Sequence, residues 1–425
     1  MFESKKSPDL TIGKPMNSGC DVPGLMTIEQ AKRIIEDTVS PITDITLCDL
    51  DDAIDRVIAR DMISPINVPA YDNSAMDGYA LRYEDFLASN ILTMIGKSVA
   101  GNKFNGVIKK GECVRIMTGA EIPRGADTVV MQENTEANAD QITFNSASKG
   151  NAIRPAGDDI KQGAVVLRVG DRINAIDIGL LASLGFGRIP VYRKLTVAVF
   201  STGDELLAVG ESSRNDRIFD TNRPMLLAML SKMGVDTIDM GIIEDDKVKI
   251  RAAFEYANEH ADCVITSGGV SVGEADYTRE ILEEYGSVDF WKLAIKPGKP
   301  LAFGRLSASL FFGLPGNPVS SAVTFDQIAA PALAILAGCK PQAPVMLPAT
   351  AASIFKKRSG RTDYQRAHYF INDNGQVSVE TLGSQSSGVL SCFRKSNCYA
   401  VLENERGQVS IGETVNILPF SSIIS

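Results

Sequence analysis

Residues 266–278 read TSGGVSVGEADYT, and the rest of the chain is organised around this glycine-rich stretch. It follows a short apolar run at 262–265 that predicts a buried strand, and it precedes residues 279–285, which predict a helix. Glycine permits positive φ angles and lets a backbone approach a ligand closely. Small hydroxyls and backbone N–H groups at such a turn suit phosphate or another oxyanion. The residues that this pattern assigns to ligand contact are Ser267, Gly268, Gly269, Ser271 and Gly273.

Two carboxylates in the same stretch, Glu274 and Asp276, complicate a simple anion site. They would repel a phosphate unless a cation such as Mg²⁺ lay between them and the ligand. Glycine-rich turns are also common between regular elements, so a turn with a capping acid is the alternative interpretation of this stretch taken alone.

Two downstream motifs favour the binding interpretation. Residues 296–300 read KPGKP, which holds two lysines in a stiff turn, and residues 311–321 read FFGLPGNPVSS. In the second motif an apolar strand ends at a turn, Asn317 can cap the following helix, and Pro318 can be its first residue. A helix N-terminus is itself an anion site. The combination suggests a nucleotide- or phosphate-binding α/β domain, although neither the GxGxxG nor the P-loop motif is present.

Composition excludes several classes of function. The 425 residues are 44% hydrophobic and 22% charged, with a net charge of −9, so we expect a globular protein that does not bind nucleic acid. Two histidines argue against His-based catalysis, and seven scattered cysteines without a CxxC pair argue against disulfides and zinc. The absence of an apolar leader and of any run of 18 apolar residues favours a cytoplasmic protein with no membrane partner.

The order of the patterns predicts a multidomain α/β plus all-β architecture. Alternating strands and helices from residue 195 onward predict a doubly wound, mostly parallel sheet with helices on both faces. Short β runs at 92–144 predict an inserted β module, and the final β-patterned segment predicts a small barrel. Helices are predicted from Thr27, which begins a capping box, and over residues 50–60. The predicted domains are a tail at 1–24, a discontinuous helical and β N-terminal domain at 25–65 and 148–190, an insert at 66–147, the α/β domain at 191–340 and the last domain at 341–425.

Four polar segments follow predicted strands of the α/β domain, at 201–205, 244–246, 267–276 and 314–318. Ligands of such sheets bind beyond the carboxyl ends of the strands. The four segments should therefore converge on one edge of the sheet and form a binding site there.

Six motifs occur in one order along the chain: DNSAMDGYA at 72–80, RIMTGA at 115–120, STGDEL at 201–206, TSGGVSVGEAD at 266–276, KPGKP at 296–300 and LPGNPVSS at 314–321. From about residue 25 to its end, the chain resembles the molybdopterin molybdenumtransferases, the family of MoeA and the gephyrin E domain. The resemblance implies Mg²⁺-dependent insertion of molybdate into adenylylated molybdopterin with release of AMP. It also implies a four-domain homodimer with active sites between subunits, and transient contact with the enzyme that adenylylates the pterin.

The resemblance carries roles onto matching positions. It implies catalytic roles for Asp77, Thr118, Asp159, Glu205, Asp245, Asp276, Lys292 and Lys296, and binding roles for Arg154, Pro315, Gly316, Asn317, Pro318, Arg366 and Ser387. Cleavage of a phosphoanhydride requires stabilisation of negative charge, which Mg²⁺ and lysines can supply. We therefore assign Glu205 and Asp276 to Mg²⁺ or its bound water, and the two lysines to phosphate or molybdate. The chain departs from the family at Ala367, where the family often has glycine.

Several alternatives stay open from the sequence. The two prolines of the LPGNP turn could serve only to shape it, Asp245 could only cap the next helix, and Lys292 could be a solvated strand-end residue. For the whole protein, one alternative is the enzyme that adenylylates the pterin, which shares the TSGG signature in looser form. Another is a non-catalytic dimeric scaffold of the gephyrin E-domain type.

Overall fold

The computed structural model describes residues 24–268 and 276–424, which form two compact units. The inserted unit spans residues 45–192. The main unit contains the described segments on either side of it, up to Asp44 and from Arg193 onward. The finer domain boundaries predicted from the sequence stay a prediction.

Helices occur in both units, and the longest continuous one among the described residues is Pro318–Leu336 in the main unit. The α-helices are α1 (Ile28–Thr38), α2 (Tyr83–Ala88), α3 (Ala175–Ser183), α4 (Asn222–Lys232), α5 (Lys247–His260), α6 (Asp276–Tyr285), α7 (Pro318–Thr324), α8 (Ala330–Leu336) and α9 (Ser391–Lys395). A π-helical turn, Phe325–Ala329, joins α7 to α8. Of the helices described, only Pro318–Leu336 has the length and apolar composition of a bilayer span, and 78% of its apolar window is buried inside the protein. At α1 the predicted capping box is confirmed, because the Thr27 and Gln30 side chains each accept the other's backbone N–H.

The inserted unit is built mainly from strands. They are β1 (Ile45–Asp49), β2 (Met62–Ile63), β3 (Asn73–Ser74), β4 (Gly78–Leu81), β5 (Ile91–Ser98), β6 (Glu112–Ile116), β7 (Thr128–Met131), β8 (Thr135–Asn138), β9 (Gln141–Phe144), β10 (Ile153–Arg154), β11 (Val165–Leu167) and β12 (Arg188–Tyr192). Six of them form a sheet in the order β7-β4-β6-β5-β9-β8, which confirms the predicted β module. The ladders β1–β12, β2–β11 and β3–β10 pair the outgoing chain with the returning chain.

The predicted helix over residues 50–60 is wrong. Only Leu50–Asp52 forms a short 3₁₀ turn, and Asp55 has a positive φ of 61°. The backbone N–H groups of Asp55 and Ile58 donate to carbonyls of the returning chain, at Ile173 and Asp171, over 2.9 Å in both cases. The helical spacing of apolar residues is real, but donors engaged with a neighbouring segment cannot make helical hydrogen bonds.

The main unit contains a six-stranded mixed sheet. The strands of this part of the main unit are β13 (Thr196–Thr202), β14 (Leu206–Leu207), β15 (Ile218–Phe219), β16 (Asp236–Ile243), β17 (Cys263–Ser267), β18 (Gly286–Lys292), β19 (Ile295–Lys296), β20 (Pro300–Leu306) and β21 (Leu310–Leu314). The short strands β14 and β15 pair with each other outside the six-stranded sheet. The sheet order is β16-β13-β17-β21-β20-β18. The first four strands pair in parallel, and β20 pairs antiparallel with both β21 and β18, which confirms a mostly parallel sheet.

Alternate residues of each central strand enter different cores. In β13, Val197 and Val199 pack with α1, α4, α7 and α8, whereas Ala198 and Phe200 pack with α5 and α6. Burial on both faces explains why the central strands are continuous apolar runs. The ring of Phe254 on α5 makes edge contacts with Phe200 and Phe311, with centroids 5.2 and 5.6 Å apart.

The end of the main unit is a barrel, as predicted. Its strands are β22 (Leu347–Ala351), β23 (Thr362–Ile371), β24 (Val377–Thr381), β25 (Cys398–Leu402) and β26 (Thr414–Pro419). The order β23-β24-β22-β26-β25 closes through pairing of β25 with β23. The short strand β19 adds to β23 in parallel, which brings the KPGKP motif to the barrel.

Candidate active site

The carboxyl ends of neighbouring parallel strands lie together at one edge of the main sheet. Ser201 at the end of β13 is in register with Ser267 at the end of β17, which is in register with Leu314 at the end of β21. The end of β16 joins them, because Thr202 pairs with Ile243. The predicted convergence of the four strand ends is confirmed for the described residues.

The segment that enters α4 is tied to the same edge. Asp220, which is 2% exposed, accepts hydrogen bonds from the Ser201 hydroxyl (3.1 Å) and from the backbone N–H of Arg223 (3.2 Å). Its carboxylate therefore caps α4 and anchors it to the end of β13.

Two residues later, Asn222 makes the same kind of link to the next two strands. Its Nδ2 donates to the Ser267 hydroxyl and to the Gly316 carbonyl, each over 2.7 Å. Sequence reasoning missed both Asp220 and Asn222. The available signal was the polar sequence DTN shortly before Pro224, because proline is favoured in the first turn of a helix.

The glycine-rich stretch is described only at its two ends. Gly268 has a φ of +92°, and a Cβ there would lie 2.8 Å from the Thr202 carbonyl oxygen, so only glycine fits. Gly269, Ser271 and Gly273 lie outside the described residues. Asp276 begins α6, and its side chain is likewise outside the described part.

Carboxylates cluster at the ends of β13 and β16. The backbone N–H of Asp245 donates to Asp204 Oδ1 over 3.2 Å, and the Glu205 carboxylate lies against Gly203. Burial raises the pKa of Asp245, and repulsion from Asp204 and Glu205 raises it further.

A divalent cation would relieve this repulsion, and carboxylate oxygens are the ligands that Mg²⁺ prefers. The residues present therefore fit such an ion chemically. Among the side chains that the structure describes, which exclude that of Asp276, no three of His, Cys, Asp or Glu are already arranged as a metal site. The assignment of Glu205 and Asp276 to Mg²⁺ stays a prediction.

An open cleft of about 570 Å³ adjoins the acidic cluster. Its lining includes Gly203, Asp204, Arg217, Arg223 and Glu244. This volume lies within the range of small-molecule sites, and the mixed charge of the lining suits a polar ligand.

The two predicted lysines lie on separate strands. Lys292 ends β18 with an exposed side chain. Lys296 lies in β19, and its Nζ is 3.5 Å from an oxygen of Asp363, a carboxylate that is 2% exposed. Both are available for an anion, although Lys296 is already partly neutralised.

The LPGNP turn leads into α7 as predicted. Asn317 is the N-cap by position, although its side chain makes no capping hydrogen bond to the described residues, and Pro318 is the first helical residue. The backbone N–H of Val319 donates to the Ser387 carbonyl over 3.1 Å. The helix N-terminus and the segment containing Ser387 are therefore in direct contact.

Buried Arg366 makes hydrogen bonds to the segment that contains Ser387. It is 1% exposed, and its Nη2 donates to the carbonyls of Ser384 (3.1 Å) and Ser386 (3.0 Å). Burial lowers the pKa of its guanidinium. The structure thus gives Arg366 a supporting contact, while direct ligand binding by Arg366 stays a prediction.

In the inserted unit, Asp77 and Thr118 form a pair. Asp77 precedes β4, Thr118 follows β6, and Asp77 Oδ1 accepts both the backbone N–H and the hydroxyl of Thr118 over 2.7 Å each. The backbone hydrogen bond, and then the hydroxyl hydrogen bond, lower the pKa of Asp77. The half-buried carboxylate is therefore held ionised.

Strand β3 links this pair to the segment RPAGDD at residues 154–159. Its Asn73 pairs with Arg154 of β10, and Ser74 exchanges backbone hydrogen bonds with Gly119 and Ala120 (2.8 and 3.0 Å). Arg154 ends β10, Asp159 lies on the loop that follows it, and both residues are exposed. The four predicted residues of this unit thus lie on segments that meet at β3.

Comparison with known proteins decides the family. Three family models match: the MoeA N-terminal region (domain I and II) at 26–185, a probable molybdopterin binding domain at 198–335, and the MoeA C-terminal region (domain IV) at 348–420. A molybdopterin molybdenumtransferase from Haemophilus influenzae is 48% identical over 404 residues, which is 94% of this chain and 100% of that protein. The chain belongs to the molybdopterin molybdenumtransferase (MoeA) family.

Two further comparisons agree with MoeA membership. A molybdopterin molybdenumtransferase from a Nostoc species is 34% identical over 88% of this chain and 88% of its own length. The crystal structure of the molybdopterin biosynthesis MoeA protein from Pyrococcus horikoshii OT3 aligns with a TM-score of 0.81, at 28% identity, over 93% of this chain and 100% of that one. The predicted family, fold class and enzyme class are confirmed, and the chain is a transferase of molybdenum cofactor biosynthesis.

The Asp77–Thr118 pair of this MoeA-family chain gives a pH prediction. Thr118→Val removes the hydroxyl hydrogen bond but keeps the N–H, so the pKa of Asp77 should rise towards its ordinary range. The lowered pKa keeps the Asp77 carboxylate charged to lower pH, and the charge is lost as the pH falls through that pKa. We therefore expect the acid limb of the pH–rate profile to move to higher pH in the variant, with little change near neutrality.

This shift is checked by measuring initial rates as a function of pH for both proteins. An Asp77→Asn protein is the control, because it should lack the titration altogether. An acid limb that stays in place in Thr118→Val would show that another group controls it.

Proposed function

We propose that the protein inserts molybdate into adenylylated molybdopterin in an Mg²⁺-dependent reaction that releases AMP. One observation carries the proposal. The carboxylates of Asp204, Glu205 and Asp245 lie at the same sheet edge as the Ser267–Gly268 and LPGNP turns. A cation-binding cluster beside two oxyanion-binding turns suits a phosphoanhydride substrate. The names of the relatives, molybdopterin molybdenumtransferases, support molybdopterin as the substrate class.

The bond to be broken joins the pterin phosphate to the adenylate. Mg²⁺, when bound by Glu205 and Asp276 with Asp245 nearby, would supply stabilisation of the negative charge on the leaving phosphate. The Ser267 turn and the N-terminus of α7 would orient the pterin phosphate, and Lys292 and Lys296 would bind molybdate or phosphate. Asp77 and Thr118 would present a fixed carboxylate to the reacting groups.

We also propose a homodimer in which the Asp77–Thr118 cluster of one subunit serves the main unit of its partner. The support for this proposal is the family membership together with the division of the predicted site residues between the two units. Transient contact with the enzyme that adenylylates the pterin, and a cytoplasmic location, belong to the same proposal.

The test is release of AMP from adenylylated molybdopterin by the purified protein. We expect release that requires both Mg²⁺ and molybdate and that stops on chelation of Mg²⁺. Formation of adenylylated pterin from ATP and molybdopterin, without molybdate-dependent release, would place the protein one step earlier. Pterin binding without either reaction would indicate a scaffold.

A further inference from the structure

We infer that Asn222 is a positioning residue whose side-chain amide sets the separation between the end of β17 and the LPGNP turn. These are the two places where the pterin and its phosphate would bind. The ligand in this inference rests on the proposed function, whereas the link itself rests on geometry alone.

The geometry of the link is compact. Asn222 is the first residue of α4 and is 7% exposed. Its amide nitrogen carries two N–H groups and makes two 2.7 Å hydrogen bonds, one to the Ser267 hydroxyl and one to the Gly316 carbonyl. Because the amide is planar, the two acceptors are held at a fixed distance from each other.

Both acceptors lie where a ligand would be bound. Ser267 is the last residue of β17 and the second residue of the glycine-rich stretch, and Gly316 lies two residues before α7 begins. The strands that carry them are neighbours, with Ser267 opposite Leu314. A shift of about 1 Å in a ligand-positioning group is enough to weaken binding or turnover strongly.

Aspartate, the closest substitution in shape, cannot make both bonds of this link. Aspartate has the same shape but no N–H, and its second oxygen would face the Gly316 carbonyl oxygen. The Oδ1 of Asn222 is itself buried and without a hydrogen-bond partner among the described residues. Replacement by aspartate would therefore bury a charge beside the Gly316 carbonyl oxygen, where, of the two partners, only the Ser267 hydroxyl could donate to it.

Asn258 offers a matched control at the opposite end of the same sheet. Its Nδ2 donates to the Ser307 hydroxyl (2.7 Å), and its Oδ1 accepts the backbone N–H of Ala308 (3.1 Å). It anchors the turn that precedes β21, whereas Asn222 anchors the turn that follows it.

The test measures the affinity of Asn222→Asp, Asn222→Ala and Asn258→Ala for adenylylated molybdopterin, together with KM and kcat. For both Asn222 variants we expect Kd and KM to rise about tenfold, the equivalent of one or two lost hydrogen bonds, with a smaller change in kcat. Asn258→Ala should leave Kd unchanged. Equal Kd values for wild type and Asn222→Asp, or an equal rise in Asn258→Ala, would overturn the inference.

A second readout does not need the ligand. The backbone N–H of Gly268 donates to the Leu314 carbonyl over 3.3 Å, across the two strand ends that Asn222 links. Hydrogen exchange of the Gly268 amide should be faster in both Asn222 variants than in wild type or Asn258→Ala. Unchanged exchange would refute the positioning role, even if the wild-type protein proved not to bind the pterin and the proposed function failed.

Discussion

Asp77→Asn is expected to lower the turnover of adenylylated molybdopterin about a hundredfold or more, with little change in thermal stability. Asparagine has the shape of aspartate, and its Oδ1 can still accept the N–H and hydroxyl hydrogen bonds of Thr118. Only the negative charge is lost. The lowered pKa of Asp77 shows that this charge is present across the neutral range. The measurement is kcat for AMP release at saturating substrate, with the melting temperature recorded in parallel.

Asp127 provides the control for this experiment. It lies in the same unit, and its Oδ1 likewise accepts one backbone N–H, from Tyr83 (2.7 Å), and one threonine hydroxyl, from Thr128 (3.2 Å). Asp127→Asn should leave turnover unchanged, because the partners of its carboxylate, Tyr83 and Thr128, are not among the predicted site residues. A similar loss in both variants would mean that the charge acts through folding rather than chemistry.

The sequence was informative where one local pattern decides the structure. The alternating apolar runs and turn residues predicted the parallel strands, and a general rule of α/β sheets then placed their polar ends on one edge. The capping box at Thr27 needed only two residues three apart. Residues 50–60 show the opposite case, since their helical spacing was overridden by pairing with residues more than 100 positions away.

The contacts that support the site were not predictable in this way. Asp220 and Asn222 act through strands that are separated from them in sequence, and a polar residue before a helix has many local explanations. Ligand binding by Arg366 stays a prediction, and what the sequence did not indicate is that Arg366 is buried and donates to the Ser386 carbonyl, next to Ser387. Burial and long-range partners are tertiary properties, which motif matching does not provide.

Arg366→Met is expected to lower the free energy of unfolding by about 2–3 kcal/mol and to weaken pterin binding as well. Methionine fills much of the volume but leaves the carbonyls of Ser384 and Ser386 without their buried donor. The lowered pKa of Arg366 shows that burial penalises its charge, so removal of the charge offsets part of the loss. The segment should then loosen, and with it the contact between the Ser387 carbonyl and the N-terminus of α7.

Lys357 separates the effect on stability from the effect on the site. It is another buried cation of the barrel, and its Nζ donates to backbone carbonyls that include that of Arg406 (2.8 Å). Urea unfolding should show a comparable loss of stability for Lys357→Met and Arg366→Met. Only Arg366→Met should raise the Kd for adenylylated molybdopterin, because only Arg366 holds the segment that meets α7. If both variants bound the pterin as tightly as wild type, the Ser387 segment would have no part in binding, and the role of Arg366 would be confined to the stability of the barrel.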